Sequence, residues 1–478
     1  MGIKYSFLFS IVVVLIFLQD FTIKIASQQL YICSIAILFI LFLILIFKTK
    51  DFFITVKNVV NYTSFKYLLL CIFWLVMTSL FCGSVGTVLK INFRILLIWG
   101  LVILSTIFIT FFSIPKYISY KKCLKLFIIM YQFIMYYGII NFIARLFYIY
   151  PLMILHNFVC TRAVLQSGKS FLDINQWERA TSLFFEPSFF ATFIFLFLPL
   201  AYVLANRNIL LFKNRIKDKL FKASLIVITW LNLIFTMSPM YIVLCCLYTI
   251  IFFSKSILKH LRKKQNILIV CFIVILSIPP LLIITPSINF SNNKVFHRVL
   301  TTTKSFGDFN SLVETEVSLA TRILTSANTW IAAKKHPIKG VGFGNDHDIM
   351  YQQYTTTNLP MTWEIIEKAI LEDSAGSASN IFFSMLLQAG WIGIILLYLF
   401  FINSIVNSFK IKSYKNSNNA FLEIIQLISI NYIIISFYWG YITYPIMWFI
   451  FAILNTFIYQ LNLKIRSKQK FILKGVFQ

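Results

Sequence analysis

The chain has 478 residues, 59% of them hydrophobic and 18% aromatic, with a mean hydropathy of +0.83 and a formal net charge of +27. Soluble domains are about half apolar at most, so these values exclude a soluble globular protein. In a membrane protein the positive-inside rule accounts for most of the charge, which removes the argument for nucleic acid. The eight cysteines have neither metal-ligand spacing nor a disulfide framework. Cys33, Cys71, Cys245, Cys246 and Cys271 lie inside apolar runs as small buried groups, and only Cys160 reads as external and unpaired. The first apolar run leads directly into more spans, so no cleavable signal peptide is expected.

Length and hydropathy predict about 12 transmembrane helices, near 5–18, 30–47, 67–81, 91–112, 126–148, 184–205, 224–237, 241–253, 267–284, 381–402, 420–437 and 442–461. The pair at 224–253 is short and broken at Ser238-Pro239, as a tight hairpin or a re-entrant pair. The segments 48–66, 116–125, 207–222, 255–264, 410–415 and 464–474, with Lys4, hold most of the 43 Lys and Arg residues. All of them fall on one side if both termini are cytoplasmic. The alternate segments are poor in Lys and Arg or long, and most of the 16 acids lie there. The expected architecture is an all-α polytopic membrane protein in three parts. Residues 1–285 carry nine helices and a short outer segment at 151–182. Residues 286–379 form one large extracytoplasmic loop with amphipathic helices. Residues 380–478 carry three more helices and a basic cytoplasmic tail.

The outer segments carry the chemistry. The first reads WERATSLFFEPS from Trp177 to Ser188. Pro187 suits the first turn of a helix, which puts Glu186 at the helix mouth and Arg179 just outside the bilayer. Ionisable groups at a membrane edge mark functional sites unless they pair with each other, and both readings stand here. In the second, Val313, Val317, Ala320, Leu324, Ala327 and Ile331 recur in steps of four and three, the apolar stripe of an amphipathic helix. Arg322 faces away from that stripe, as a solvated or paired arginine or as a ligand for an anion. Lys334, Lys335 and His336 fall in the last turn. His336 reads either as a helix cap or as a base. Pro337 stops the helix. Gly340, Gly342 and Gly344 then form a bare turn that a ligand or another backbone can approach closely. It is no phosphate loop of known kind, since no strand precedes it and no GK[ST] follows. In the third segment Trp363, Ile366 and Ile370 share one face of a short surface helix, and a joint ending in Asn380 caps the next span.

The motif order is R-x-x-S-x-F-x-E-P entering a mid-chain span, then a long outer segment ending R…W…H-P-x-x-G-x-G-x-G-N, then S-N-x-F…G-W-I-G opening the next span. This resembles the O-antigen polymerase (Wzy-type) and O-antigen ligase superfamily. The matching residues are Arg179, Ser182, Glu186 and Pro187; Arg322, Trp330, His336, Pro337, Gly340, Gly342 and Gly344; and Asn380, Gly390 and Gly393. The resemblance implies a GT-C-like fold and a metal-independent, cofactor-free glycosyltransferase in the bacterial inner membrane. Its substrate would be an undecaprenyl-diphosphate-linked oligosaccharide. A chain-length regulator and a flippase of the same pathway would be partners, and the product O-antigen or capsule. Arg322, Arg179, Glu186 and His336 are then the catalytic candidates. Ser182, Trp330, Gly340, Gly342, Gly344 and Asn380 are the substrate-binding candidates. Two departures bear on the assignment. Members often carry Ser-Arg where this chain has Ser238-Pro239. Ligases carry His-Asn where it has Ser379-Asn380, which favours polymerase over ligase. A flippase and a non-catalytic scaffold of an export complex are the readings from other classes.

Overall fold

The computed structural model describes residues 2–18, 22–25, 28–60, 63–82, 100–111, 120–159, 180–184, 187–207, 211–236, 238, 241–242, 244–252, 317–343, 345–356, 361–366, 380–414, 420–438 and 445–476. The expected span at 267–284 lies outside them. The elements are helices, with one short exception. α1 (Gly2–Phe17) is followed by an antiparallel hairpin, β1 (Thr22–Ile25) with β2 (Gln28–Tyr31), which pairs Thr22 with Tyr31 and Ile25 with Gln28. There follow α2 (Ile32–Val60), α3 (Thr63–Cys82), α4 (Gly100–Phe111), α5 (Tyr120–Leu146) and α6 (Tyr150–Val159). Next come α7 (Pro187–Asn206), α8 (Arg215–Phe235) and α9 (helical at 241–242 and 244–252). The outer segment contributes α10 (Val317–Lys334), α11 (Asp346–Thr356) and α12 (Trp363–Ile366). α13 (Ile381–Tyr414), α14 (Ala420–Ser436) and α15 (Pro445–Val476) complete the set.

Four described helices are long and apolar enough to cross a membrane, at Ser64–Phe81, Tyr120–Ala144, Pro187–Asn206 and Ile381–Lys410, and shorter apolar helices lie at Ile35–Phe47, Gly100–Phe111, Ala420–Ser436 and Pro445–Gln460. Their outward faces are apolar stripes at helical spacing. On α5 these are Ile129, Phe133, Tyr136, Ile140 and Ile143, and on α13 they are Ile395, Leu399, Ile402, Val406 and Phe409, all exposed. Water would not tolerate such a belt, whereas acyl chains cover it without cost. The chain is a polytopic helical membrane protein.

α7 is the central post, buried over 94% of its length. It is hydrophobic on every side, the pattern of a helix surrounded by others. Phe17 of α1 packs against Phe193 and Phe197, Phe127 of α5 packs against Phe197, and Asn431 of α14 donates to the Phe195 carbonyl at 2.9 Å. α8 and α9 form a tight hairpin against this post. The Trp230 indole and the Thr249 hydroxyl both meet the Tyr202 hydroxyl, at 3.1 and 2.6 Å, and Ser238 accepts from the Tyr241 amide at the turn. The buried stripe of α8 carries Asp218, Lys222, Thr229 and Asn232 beside Leu225 and Leu233, and two of its bonds run to α5, Tyr131 to Thr229 at 2.9 Å and Asn232 to the Met135 carbonyl at 2.8 Å. Polar groups of this kind join helices where lipid offers no hydrophobic drive.

The helix ends sort into two groups. Arg207 at the foot of α7 pairs with Glu423 at the start of α14 at 2.7 Å, Tyr120 of α5 bonds Gln460 of α15, and Gln426 bonds Ser408. The flanks of the basic segments at 116–125, 207–222, 410–415 and 464–474 thus gather at one end. The outer segment caps the opposite end.

That cap is anchored at a break in α13. Gly390 has φ 63 and ψ −168, a conformation essentially restricted to glycine. The break exposes backbone groups that an intact helix would pair, and the turn after α10 meets them. The Val341 amide donates to the Leu387 carbonyl at 2.8 Å, the Gly342 amide to Gln388 at 2.9 Å, and the Trp391 amide to the Pro337 carbonyl at 2.8 Å. The Trp74 indole of α3 takes the Ala389 carbonyl at 2.8 Å, and Ser79 accepts from the Phe343 amide at 2.9 Å.

One expected face shifts. On α10, Ala327 is exposed, and the buried face holds Ala320, Thr321, Leu324, Asn328, Thr329, Ala332 and Ala333. The helix packs against α11, α12 and α13 at once, so polar Asn328 and Thr329 are covered and the simple stripe is rotated. On α12, Ile365 is buried at 3% and Ile366 is exposed at 40%, with Thr362 at its start meeting Thr321 at 2.6 Å. Residues 367–379, including Ile370, lie outside the described set.

An alanine Cβ at Gly390 would sit 2.2 Å from the Ile338 carbonyl oxygen. Gly390→Ala is expected to destabilise the protein by about 3 kcal/mol, read as a lowered melting temperature in detergent; an unchanged melt would refute the docking. A second test concerns Asp218. Burial would raise its pKa, but the hydrogen bond from Lys222, those from the Leu211 and Phe212 amides and the Lys222 charge together hold it below the usual carboxylate value. Such a group stabilises fully above about pH 4, and the contribution is lost as pH falls through its depressed folded pKa. Asp218→Asn should therefore lower stability at pH 7 and flatten its further loss on acidification below about pH 4.

Candidate functional site

α10 carries Arg322 at the capped end of the bundle, where it meets Tyr438. Its guanidinium Nη1 donates to the Tyr438 hydroxyl at 3.1 Å, and its Cζ lies 5.6 Å from the Tyr438 ring centroid. Tyr438 follows the end of α14 and meets Tyr241, at the start of α9, edge to face at 5.6 Å. The Tyr241 hydroxyl is 2.5 Å from Thr192 Oγ1, which donates to the Ser188 carbonyl at 2.8 Å. A hydroxyl has one proton to give, so Tyr241 donates to Thr192. The chain Arg322–Tyr438–Tyr241–Thr192–Ser188 links the outer cap to the first turns of α7, whose first residue is Pro187. The first turn of α7 and the segment carrying Arg322 are thus joined through Ser188 and Thr192.

The other candidates separate by role. Ser182 is fully buried, its hydroxyl donates to the Ile134 carbonyl at 2.7 Å, and its backbone is left-handed at φ 50. That conformation costs a non-glycine residue roughly 1–3 kcal/mol. Here it turns the 180–184 segment, held by the Ala180 amide on the Phe235 carbonyl at 2.8 Å, toward α7. Asn380 caps α13 by accepting from the Phe383 amide at 2.9 Å, and its Nδ2 donates to Ser326 at 2.9 Å; Ser326 in turn donates to the Arg322 carbonyl at 2.7 Å. Asn380 is therefore one bond removed from the backbone that carries Arg322. Trp330 stands edge to face with Phe383 and Trp391 at 6.3 and 6.4 Å, with Lys334 Nζ 5.3 Å from its ring. It forms an aromatic wall beside the cap.

His336 is half-buried just past α10, and its carbonyl accepts from the Gly340 amide at 3.0 Å. Gly340 and Gly342 have φ 70 and 89, and an added Cβ would meet Gln388 backbone at 2.5 Å and the Ser79 Cα at 3.0 Å, respectively. The close approach that these glycines allow is made by other backbone. Arg179, Glu186 and Gly344 lie outside the described residues.

Sequence reasoning missed Tyr438 and Tyr241. An aromatic at a span end reads first as an interfacial anchor, and no local pattern couples Tyr438 to an arginine 116 positions away. It also missed the buried Asp346–Gln388 pair at 3.0 Å, which ties the start of α11 to α13. Among the described residues, no three His, Cys, Asp or Glu side chains form a group able to hold a metal.

Chemically, the site offers a cation fixed by a phenol and a ring face at the boundary of a low-dielectric bundle. A guanidinium keeps its charge in such surroundings and matches phosphate oxygens with a planar fork.

No curated protein matches the chain. A family model described as O-antigen ligase matches residues 224–398. The match runs from α8 through Arg322, Trp330, His336, the glycine turn and Asn380 to the break at Gly390, and stops short of Tyr438. It covers under half of the chain. Over these residues the chain is similar to that family, which supports a place in the O-antigen polymerase and ligase superfamily at the level both activities share.

Proposed function

We propose that this protein is a polysaccharide repeat-unit polymerase. It transfers a glycan chain from undecaprenyl diphosphate onto the sugar of a new lipid-linked repeat unit, at the periplasmic face of the bacterial inner membrane, with both termini cytoplasmic. The observation that carries the reading is the placement of Arg322, held by Tyr438 where the outer cap meets the first turns of α7. The R-x-x-S-x-F-x-E-P motif, and Ser379-Asn380 in place of His-Asn, favour polymerase over ligase. The description of the matching family favours the second reading, transfer to a lipid A core.

In the reaction, an acceptor hydroxyl oxygen attacks the anomeric carbon. The bond from that carbon to the diphosphate oxygen breaks, the electron pair leaves with the diphosphate, and the hydroxyl proton passes to a base. Arg322 and Arg179 bind the diphosphate and oppose the charge that grows on it as it leaves. Glu186 and His336 are the candidate bases. Trp330 and Asn380 line or position the acceptor side. A flippase and a chain-length regulator of the same pathway are the expected partners.

With purified protein and lipid-linked repeat units, Arg322→Ala should slow polymerisation on the order of a hundredfold, with repeat units left single. Normal chain lengths in a folded Arg322→Ala protein would remove Arg322 from the mechanism. Tyr438→Phe keeps the ring but not the hydrogen bond, worth about 1 kcal/mol. It should lower kcat by about fivefold and leave KM for the repeat unit nearly unchanged; a full wild-type rate would separate Tyr438 from the site. Transfer to lipid A core sugars in place of repeat units would decide for ligase.

A further inference from the structure

The end of the bundle opposite the cap holds a surface that the reaction does not use. α8 begins there inside out. Its inward face at that end carries a buried ion pair, Asp218 with Lys222 at 2.8 Å. Its outward face exposes Ile216 and Leu220 at 69% and 66%, and continues to Val227. Phe212, just before the helix, is exposed as well. Lys213, Arg215, Lys217 and Lys219 are all exposed. At 100° per residue, Lys217 and Lys219 flank the Ile216–Leu220 ridge on either side.

The surface is held in shape. Asn214 Oδ1 caps the helix by accepting from the Ile216 and Lys217 amides at 2.9 and 3.3 Å. Asp218 Oδ1 accepts from the Leu211 and Phe212 amides at 2.7 and 3.3 Å, folding the preceding turn onto the helix. The nearby described carboxylates are engaged elsewhere, Asp218 by Lys222 and Glu423 by Arg207. Neither lies on the outward face, so among the described residues no carboxylate faces these cations. An ordered row of cations around an apolar ridge, on a helix whose exposed apolar face runs on to Val227, is complementary to one kind of molecule: two acyl chains joined to a phosphate.

We propose that residues 212–220 form a binding site for an anionic phospholipid of the adjoining leaflet. Its phosphate lies among Lys213, Arg215, Lys217 and Lys219, and its chains lie along Ile216, Leu220 and Val227. The site stands on these residues alone and is independent of the reaction at the opposite end.

The test offers full-length protein in nonionic detergent an equal mixture of phosphatidylglycerol and phosphatidylcholine with identical chains, and quantifies retained lipid by native mass spectrometry. Each cation contributes roughly fivefold in affinity, so the wild type should retain phosphatidylglycerol in more than about tenfold preference. The variant Lys213→Gln/Arg215→Gln/Lys217→Gln/Lys219→Gln should fall to near parity. The variant Lys121→Gln/Lys125→Gln, which removes exposed cations at the same end, should keep the preference. If the fourfold variant does not fold, Lys213→Gln/Lys217→Gln should lie between. Parity in the wild type would overturn the proposal. So would equal loss in the Lys121/Lys125 variant, or binding of glycerol 1-phosphate, which lacks the chains, as tightly as the lipid.

Discussion

The docking of the turn after α10 into the break of α13 is the contact on which the outer half of the molecule depends. A transmembrane helix that breaks must have its freed amides and carbonyls satisfied by protein, because the bilayer offers no partner. Here the partners are the amides of Val341 and Gly342, the carbonyl of Pro337 and the indole of Trp74. Side chains at Gly340 or Gly390 would hold the two backbones apart. The outer helix is thus joined to the bundle by main-chain bonds, and the position of Arg322 follows from a junction just past the end of its helix, a little over three turns away.

From that junction the geometry of the site is largely set by span ends. Asn380 and Ser326 hold α10 against the start of α13, while Tyr438 and Tyr241 bring the ends of α14 and α9 beneath Arg322. A cation at such a boundary keeps its charge but loses much of the solvent screening it would have in water. Whatever anion it meets is bound more strongly than at an open surface. That property suits a reaction in which negative charge accumulates on a leaving group.

The two ends of the bundle use charge differently. At the basic end Arg207 and Lys222 are paired with Glu423 and Asp218, and these pairs fix helix ends. Lys213, Arg215, Lys217 and Lys219 there are exposed beside the Ile216–Leu220 ridge. At the capped end the Arg322 guanidinium meets the Tyr438 hydroxyl and ring. A phenol orients a guanidinium by accepting from it and adds no charge of its own.

The sequence by itself determined the class of the molecule, the positions of most described helices, and the order of motifs around Arg322. These follow from composition and from periodicity along one helix, which are local properties of the chain. It also located Pro187 as the start of α7 and Asn380 as a cap, because both roles are defined within one turn. The tertiary structure alone decided the buried face of α10, where three neighbours cover Asn328 and Thr329 and leave Ala327 exposed. Only the fold could choose between ligand and backbone as the partner of Gly340 and Gly342, since either needs the same absence of a side chain. Only the fold brought Tyr438 to Arg322, because a contact between distant spans leaves no periodic trace in the chain.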